Sequence, residues 1–496
     1  MPAVIDPHTG IAYNEFMANK PKATVAIAGA TGFVGRALSG YLLPDFRVIG
    51  LARNSDPGTP MTGIEWRQCD LFSLLECERA LVGVDTAVYL VHSMLPSTRL
   101  TQGTFPDLDL IIADNFARSA ARAGVMHIIY LGGLAPDASV LSRHIRSRLE
   151  VELTLGSHGI PVTTLRAGII IGPGGASYEM LRSVVQRAPL ILCPACADSL
   201  TQPVALSDVL QLLRYLVNNP SDRNRNFDIG SVDVLSYREL LGQMAWAMGR
   251  KQKLLAMHGA TPRRISFWLR LISGAPKTLV LPLVESMQHS MVARDRRLQN
   301  AAGVPGLGFL EAVRLALREG RGEERLFRRI KRFCRRASWT GVRSVQRLPL
   351  PAGKTAQWMA LQYTVWLPHF FKRFLKADVD SRQNLRIRLR FPRVTLLELS
   401  YARERSNRPD RQLFYISGGI LARHTLRATG RPRLEFREVL NGTHILVAVH
   451  DYLPTLPWPI YSLTQARAHL WVMRHFACDI LNLVENDVRT KGVPMT

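Results

Sequence analysis

Three glycines at fixed spacing follow a short apolar run near the start of the chain. The segment from Thr24 to Leu38 reads TVAIAGATGFVGRAL. The first glycine permits a tight turn, the second lets the backbone approach a pyrophosphate, and the third allows close helix–strand contact. Free amides at the start of the following helix favour a bound phosphate. The sequence therefore predicts a dinucleotide-binding loop made by Gly29, Ala30, Thr31, Gly32, Phe33, Val34 and Gly35.

The end of the second predicted strand distinguishes two dinucleotides. In NAD-binding proteins an acidic residue about 20 positions beyond the first glycine bonds to a ribose hydroxyl. This chain has Arg53 at the end of that strand and Arg36 on the first helix. A guanidinium pairs with a 2′-phosphate, so both arginines favour NADP, with NADPH preferred over NADH. The alternative is that both are ordinary surface residues of a basic chain.

These blocks resemble the extended and atypical short-chain dehydrogenases/reductases, the family of NAD(P)-dependent epimerases and dehydratases. The resemblance covers residues 22–325 and looks most like large two-domain bacterial members. Residues 69–71 (CDL) are similar to the adenine-contacting segment of the family, and residues 88–94 (VYLVHSM) to its segment beside the cofactor. The resemblance implies a Rossmann fold and further cofactor contacts from Asp70, Leu71, Val91, His92 and Ser93.

The sequence departs from the family at the catalytic positions. Catalytic members carry a Tyr-x-x-x-Lys pair in which tyrosine transfers the proton and lysine holds the nicotinamide ribose. The matching positions here are His144 and Arg148, and Gly132-Gly133 stands where Ser or Thr is expected. The i, i+4 spacing places both side chains on one helix face, with His144 as a candidate acid/base and Arg148 as the ribose contact. The alternative is a helix that has lost its catalytic pair.

Other candidate positions are weaker. The loop at residues 172–175 (GPGG), followed by Tyr178 and Glu179, is expected near the nicotinamide end or forms a plain strand–helix turn. Asn115 is a candidate support of the site wall, with a solvent-facing or backbone-bonding role as the alternative. Cys193 and Cys196 form an isolated CxxC that we interpret as structural, and no metal site is predicted.

Composition narrows the class of protein. The 496 residues include 64 Lys and Arg against 39 Asp and Glu, a net charge of +25. With 47% hydrophobic residues the chain can bury a core, which excludes a disordered chain. The positive charge favours anionic partners, but no nucleic-acid recognition motif accompanies it, so we do not predict a nucleic-acid partner. The cysteines are scattered, and we find no secretory signal and no apolar run of about 18 residues. These observations predict a cytoplasmic protein. The sequence does not indicate an oligomeric state.

Short apolar runs alternate with helical patterns from Lys22 to Leu240, which is typical of a parallel sheet covered on both faces. We therefore predict a doubly wound α/β Rossmann domain at 21–325 after a polar extension at 1–20. Residues 240–320 are expected to be mostly helical. The predicted elements are strands Thr24–Ala28, Val48–Ala52, Thr86–Val91, His127–Leu131 and Val162–Ile171, and helices Val34–Leu43 and Leu108–Ala123.

Residues 341–496 predict a smaller α+β domain. Leu385 to Phe391 alternate with arginines at a period of two, Asn441-Gly442 joins strands Arg433–Leu440 and Thr443–His450, and a long helix follows at Thr464–Val488. This order resembles the helix-grip fold of the START superfamily, which implies an apolar cavity. The alternative is that its aromatic residues only form the hydrophobic core. The candidate lining residues are Trp358, Tyr363, Trp366, Phe370, Phe371 and Phe374.

A basic amphipathic helix is predicted between the two domains, at 326–340. Its apolar residues include Phe327, Ile330 and Phe333, surrounded by arginines. Such a helix binds an anionic membrane or packs between domains. The favoured function is an oxidoreductase that acts on a small or lipid-like carbonyl compound. The alternatives are a non-catalytic NADP(H)-binding regulator or assembly protein, and a lipid-binding protein peripheral to a membrane.

Overall fold

The computed structural model describes residues 22–53, 61–93, 98–136, 138, 140–257, 259, 261–320, 341–371, 375–422 and 431–491, with side chains of the last helix up to 483. The predicted extension at 1–20 and the predicted basic helix at 326–340 lie outside these residues.

Fourteen strands are described in the N-terminal part of the chain. They are Thr24–Ala28 (β1), Arg47–Ala52 (β2), Glu65–Gln68 (β3), Thr86–Tyr89 (β4), Leu100–Gln102 (β5), His127–Gly133 (β6), Val162–Ala167 (β7), Ile170–Ile171 (β8), Leu190–Pro194 (β9), Leu200–Thr201 (β10), Val204–Ala205 (β11), Asn226–Ile229 (β12), Leu235–Ser236 (β13) and Lys253–Met257 (β14). Seven of them form a parallel sheet in the order β12-β7-β6-β4-β1-β2-β3.

Helices cover both faces of this sheet. They are Phe33–Leu42 (α1), Leu74–Ala80 (α2), Phe105–Ala123 (α3), Arg143–Gly156 (α4), Ala176–Arg187 (α5), Leu206–Asn218 (α6), Tyr237–Ala247 (α7), Pro262–Ser273 (α8), Lys277–Ser286 (α9), Arg297–Ala301 (α10) and Phe309–Glu319 (α11). Alternate residues of β1 point to opposite faces: Ala26 packs with α2, α3 and α4, and Ile27 packs with α1 and α6. The predicted doubly wound sheet is confirmed.

The strand order reverses between β1 and β4, which leaves a crevice at the carboxyl ends of these two strands. The glycine-rich loop follows β1, and His92 and Ser93 follow β4. The fold therefore brings two sequence-predicted segments to one edge of the sheet.

One prediction about this domain is wrong in detail. The predicted strand Val162–Ile171 ends at Ala167, and Ile170–Ile171 pairs instead with β11. The cause is Gly168, where a Cβ atom would lie 2.8 Å from the carbonyl oxygen of Gln202, so another backbone crosses there. The region 240–320 is mostly helical, as predicted, and also contains the strand β14, which pairs with β9.

The second domain contains strands Val342–Pro349 (β15), Leu375–Val379 (β16), Leu385–Leu389 (β17), Thr395–Tyr401 (β18), Arg411–Gly418 (β19), Arg433–Val439 (β20) and His444–Tyr452 (β21), and helices Ala356–Phe370 (α12), Trp458–Leu463 (α13) and Gln465–Lys491 (α14). The predicted hairpin is confirmed as β20 and β21, with positive φ at Leu440, Asn441 and Gly442. The long final helix is confirmed and extends beyond its predicted end.

The element order predicted for a helix-grip domain is also observed, with α12 and α14 packed against the sheet. Tyr363 is buried against Phe476 at 5.2 Å between ring centroids, and Trp366 stacks on Phe370 at 4.5 Å. Trp358 and Phe371 pack against the same cluster, whereas Phe374 lies outside the described residues. These aromatic side chains pack as core.

The two domains share a sheet and a buried ionic cluster. Strand β5, which comes from the Rossmann domain, pairs in parallel with β15 of the second domain. Arg437 on β20 is 1% exposed and donates to Asp114 Oδ2 at 2.9 Å and to Asn115 Oδ1 at 2.5 Å. Asn115 also donates to the carbonyl oxygen of Leu71 at 2.8 Å. Asn115 therefore joins the segment after β3 to the second domain.

Acid is expected to destabilise this fold through two buried histidines. Burial lowers the pKa of His127 and of His450 to about 4. The unfolded chain binds these protons near pH 6.5 and the folded chain only near pH 4, so protonation favours unfolding across that window. The free energy of unfolding should fall by up to about 1.4 kcal/mol per pH unit for each histidine.

Urea unfolding between pH 7.5 and 4.5 measures this effect. His127→Gln should show a shallower pH dependence than the unchanged protein. Identical slopes in the two proteins would contradict the assignment to His127.

Candidate functional site

The glycine-rich loop has the geometry of an anion cradle. Gly29 has a φ of +91°, and the amide of Gly32 donates to the Gly29 carbonyl oxygen at 2.9 Å. Helix α1 follows with Gly32 at its N-cap, no side-chain cap and no acidic residue in its first turn. The first amides of α1 therefore remain available to an anion, and the helix dipole favours negative charge there.

Gly35 is required for this geometry, because a Cβ atom there would lie 2.1 Å from the Gly29 carbonyl oxygen. Gly35→Ala is expected to push α1 away from the loop, abolish measurable NADPH binding and lower Tm. Gly40→Ala is the matched control on the same helix, since its added Cβ would only meet the end of Met61 at 3.7 Å. Thermal melts and NADPH fluorescence titration compare the two. Equal NADPH affinity in both variants would contradict the close packing at Gly35.

A cleft of about 650 Å³ extends from this loop along the carboxyl ends of β1, β2 and β4. Of the residues predicted to bind the cofactor, its walls include Gly29, Thr31, Arg53, Asp70, Leu71, Val91, His92 and Ser93. Ala30, Gly32, Phe33, Val34 and Gly35 shape the loop and α1 behind that wall. Arg36 also lies outside the wall and donates to the carbonyl oxygen of Thr31 at 3.3 Å.

Other wall residues come from elements that the motifs did not indicate. Thr101 and Gly103 lie on or beside β5, Phe105 and Leu108 on α3, Arg143 on α4, and Lys277, Thr278, Leu281, Pro282 and Glu285 on α9. The cationic side chains of Arg53, Arg143 and Lys277 thus line the same cleft as the α1 amides. Amides and cations together suit a phosphate-rich dinucleotide. No local pattern in the sequence marks Arg143 or Lys277 for this position.

A buried carboxylate positions His92. Asp109, on α3, is 1% exposed and accepts from His92 Nδ1 at 2.7 Å and from the Ser93 amide at 2.7 Å. Ser147 Oγ donates to the same carboxylate at 3.3 Å. Since an ionised carboxylate can only accept, the bonded Nδ1 carries the proton. His92 Nε2 is buried and has no partner in the described part of the chain.

Asp109 was not predicted as a site residue, although its sequence carried a signal. It stands in an apolar helical run whose neighbours Leu108, Leu110 and Ile111 are buried. A carboxylate between such neighbours must be paired when buried. Asp109 therefore joins His92 as a candidate of the site.

His144 and Arg148 lie on one face of α4, as their spacing predicts. The His144 ring lies 5.3 Å from the His92 ring and 6.3 Å from the Phe105 ring, measured between centroids. Its Nδ1 atom is buried without a partner among the described residues. Arg148 Nη1 donates to Tyr130 Oη at 3.4 Å. The structure therefore brings two imidazoles and one guanidinium together.

Burial and like charge keep both imidazoles neutral near pH 7. Burial, Arg148 and His92 hold the pKa of His144 well below its ordinary value of 6.5. Burial and Arg148 also lower the pKa of His92, against the opposing effect of Asp109. Burial opposes the ionisation of Asp109, but His92 and Arg148 keep the pKa of Asp109 below its ordinary value. When protonated, either imidazole is a stronger acid than a free histidine.

Two buried tyrosines beside this group do not ionise. Burial raises the pKa of Tyr89 well above its ordinary value, and burial also raises the pKa of Tyr130. Arg148 keeps its charge despite burial, because Tyr130 and Asp109 raise its pKa. At neutral pH this cluster therefore contains neutral tyrosines and neutral imidazoles beside a charged guanidinium.

An apolar cavity of about 500 Å³ adjoins the cofactor cleft. Its walls include Met180, Ile191, Leu269 and Leu283 together with His144 and Arg148. Two helices contribute to both spaces. Helix α4 places Arg143 in the cleft and His144 in the cavity, and α9 places Glu285 in the cleft and Ser286 in the cavity. The histidines thus lie where a polar cleft meets an apolar cavity.

The remaining candidates lie in the core, in turns or in the cavity wall. Gly175 packs on Phe33 of the glycine-rich segment, where an added Cβ would lie 2.9 Å from the ring. Tyr178 is buried in the core, and Glu179 accepts from the Gly174 amide at 3.3 Å. Cys193 lines the apolar cavity and Cys196 lies in a short 3₁₀ helix. Within the described ranges, no three His, Cys, Asp or Glu residues are grouped to hold a metal, and no helix is long and apolar enough to span a bilayer.

The sheet and the cleft define a Rossmann-type α/β domain, whose glycine-rich loop and cleft segments after β2, β3 and β4 lie within residues 29–170. These residues match a family model described as NAD(P)H-binding. The chain is 34% identical to the auxiliary protein GraX of Staphylococcus aureus over 146 residues. That match covers 29% of this chain and 43% of GraX, so less than half of the relative is represented.

Two solved structures are similar over about 60% of the chain. One is the triphenylmethane reductase of Citrobacter sp., at 18% identity and a TM-score of 0.48, which covers 60% of this chain and 99% of that one. The other is an NADPH-dependent quinone oxidoreductase of Escherichia coli in complex with NADPH, at 19% identity and a TM-score of 0.49, which covers 59% of this chain and 99% of that one.

Proposed function

We propose that this protein is an NADPH-dependent reductase of an apolar, lipid-like carbonyl compound. The observation that carries the proposal is the position of His92 and His144 between a phosphate-binding cleft and an apolar cavity. A reductase of this kind needs a polar site for the dinucleotide, an apolar site for the substrate and a proton source between them. The three features adjoin one another in this fold.

The charge of the cleft supports NADPH over NADH. Strand β2 ends at Ala52, and Arg53 follows where an NAD-binding protein has its acidic residue. Arg143 and Lys277 add positive charge to the same cleft. Asp70 also lines the cleft, but Arg343 of the second domain lies 3.3 Å from its Oδ2 atom. Glu285 is the second acidic residue of the wall, so three cations face two carboxylates and a further phosphate on the adenosine meets an excess of positive charge.

The bound dinucleotide would supply a hydride to the carbonyl carbon, and the chain must supply a proton to the carbonyl oxygen. We assign that proton to His144, because it lines the cavity and its buried Nδ1 has no partner among the described residues. Asp109 fixes the His92 ring, whose centroid is 5.3 Å from that of His144. Arg148 lowers the pKa of both rings and so makes the protonated His144 a better donor.

Turnover with a graded panel tests the proposal. NADPH oxidation is followed with linear aldehydes, linear ketones and quinones of increasing apolar length, and with alkanes of equal length as controls. The proposal expects turnover of carbonyl compounds only, with KM falling as apolar length increases, because the cavity is apolar. NADPH binding without turnover of any member would overturn it.

A second candidate is a non-catalytic protein that responds to the NADPH/NADP⁺ ratio. It is favoured by contact between the cofactor cleft and the second domain: Arg343 lies 3.6 Å above the Phe72 ring, which lines the cleft, and β5 joins the second sheet. The description of GraX as an auxiliary protein fits this reading. Hydrogen exchange in β15 that changes with NADPH, in a protein without turnover, would support it.

A further inference from the structure

The apolar cavity opens through a rim of exposed apolar side chains. Leu190 and Leu192 on β9 and Trp268 and Leu271 on α8 line the cavity, yet they are 41%, 52%, 56% and 66% exposed. Large apolar residues this exposed, grouped at one opening, mark an interaction surface. We call these four residues, together with Phe267, the cavity mouth.

Helix α8 presents an apolar stripe outward. Phe267 is 57% exposed and meets Trp268 edge-on at 5.7 Å between ring centroids. Leu271 continues the same face one turn later, whereas Ile265 is buried. An outward aromatic stripe on an amphipathic helix is the form that inserts shallowly into a lipid interface.

The segment that contains α8 carries an excess of positive charge. Residues 250–270 contain six Lys or Arg and no Asp or Glu. Arg263, Arg264 and Arg270 are exposed on α8 itself. Lys253 is exposed on β14, beside Leu190 in the pairing of β14 with β9. An apolar contact between two copies of the chain does not require an excess of positive charge. An anionic lipid surface is complementary to that excess.

We propose that the cavity mouth docks onto an anionic lipid bilayer, from which the lipid-like substrate of the proposed reductase enters the cavity. The substrate route rests on the proposed function, but the docking itself does not. The proposal places membrane contact at α8 and β9, rather than at the predicted helix of 326–340.

Vesicle sedimentation of the full chain tests the docking. Vesicles of phosphatidylcholine with or without phosphatidylglycerol are compared at low and physiological salt. We expect binding to the anionic vesicles that weakens as salt rises, because the charges are screened. Arg263→Ser with Arg264→Ser should weaken that binding by about tenfold or more, and Phe267→Ser should also weaken it. None of these three residues lines the cavity.

The matched control uses a second exposed aromatic between arginines. Phe391 is 93% exposed, and Arg390 and Arg393 beside it are exposed. Phe391→Ser and the pair Arg390→Ser with Arg393→Ser should bind anionic vesicles as the unchanged protein does. Circular dichroism and NADPH titration confirm that each variant is folded.

Three outcomes overturn the docking proposal: equal binding to neutral and anionic vesicles, equal binding of all variants, or loss of binding in the Phe391 control alone. A change of oligomeric state in Phe267→Ser with unchanged vesicle binding would instead assign the mouth to a contact between copies. If the mouth variants lose vesicle binding and no carbonyl compound is reduced, docking stands and the proposed function fails. If short aldehydes are reduced but the protein does not bind vesicles, the proposed function stands and the docking proposal fails.

Discussion

Replacing His144 with alanine is expected to lower kcat/KM for carbonyl reduction by about 10²–10⁴-fold, the range that general acid catalysis contributes. The hydride cannot be accepted by the carbonyl carbon unless its oxygen is stabilised or protonated. His144 is the histidine among the described residues that line the apolar cavity beside the cofactor cleft. NADPH affinity should change little, because His144 is not part of the cleft wall.

The pH profile distinguishes a proton donor from a structural residue. The pKa of His144 lies well below 6.5, so the protonated form is a small fraction at pH 7. In the unchanged protein kcat/KM should therefore rise as pH falls below 7.5, and His144→Ala should lose that rise. His475→Ala, at an exposed histidine of the second domain, is the control. An unchanged profile in His144→Ala would remove His144 from the mechanism.

Arg53→Ala is expected to weaken NADPH binding by about 10- to 100-fold, since a hydrogen bond to a charged group contributes about 1.5–3 kcal/mol. NADH binding should stay within about twofold of the unchanged protein, because NADH lacks the 2′-phosphate that Arg53 is proposed to hold. Calorimetric titration with both dinucleotides measures the two affinities.

Arg47→Ala is the matched control for Arg53. Arg47 starts the same strand, away from the cleft, and pairs with Glu65 at 2.6 Å. Its NADPH and NADH affinities should equal those of the unchanged protein. An equal loss of both dinucleotides in Arg53→Ala would contradict the assignment of a 2′-phosphate contact.

The parts of the fold that local chemistry determines were predictable from sequence. The apolar run of β1, the three glycines and the start of α1 follow one another within 15 residues, from Thr24 to Leu38. Their order alone indicates a strand, a tight turn and a helix, and the structure contains all three. The same holds for the β20–β21 hairpin, which Asn441 and Gly442 mark locally.

The rest of the site depends on contacts between distant segments. Lys277 reaches the cleft because α9 packs beside α4, and no motif announces that contact. Asp109 reaches His92 because α3 crosses the end of β4. Strand β5 is three residues long and acquires its partner, β15, from a different domain. Sequence patterns report local structure and periodicity, so they do not reveal pairings of this kind.

The spacing of His144 and Arg148 correctly predicted a shared helix face, but not its surroundings. The structure adds a buried carboxylate, a second imidazole and an apolar cavity to that face. These additions turn a pair of residues into a candidate proton-transfer site. They also explain why a helix without the Tyr-x-x-x-Lys pair still carries titratable groups at this position.

Transfer of deuterium tests the central claim most directly. The protein is incubated with NADPH deuterated at the transferable nicotinamide position and with a medium-chain aldehyde or ketone, and the product is analysed by mass spectrometry. We expect an alcohol that carries one deuterium, formed by the unchanged protein and in much smaller amount by His144→Ala. NADPH that binds but transfers no deuterium to any carbonyl compound would contradict the account.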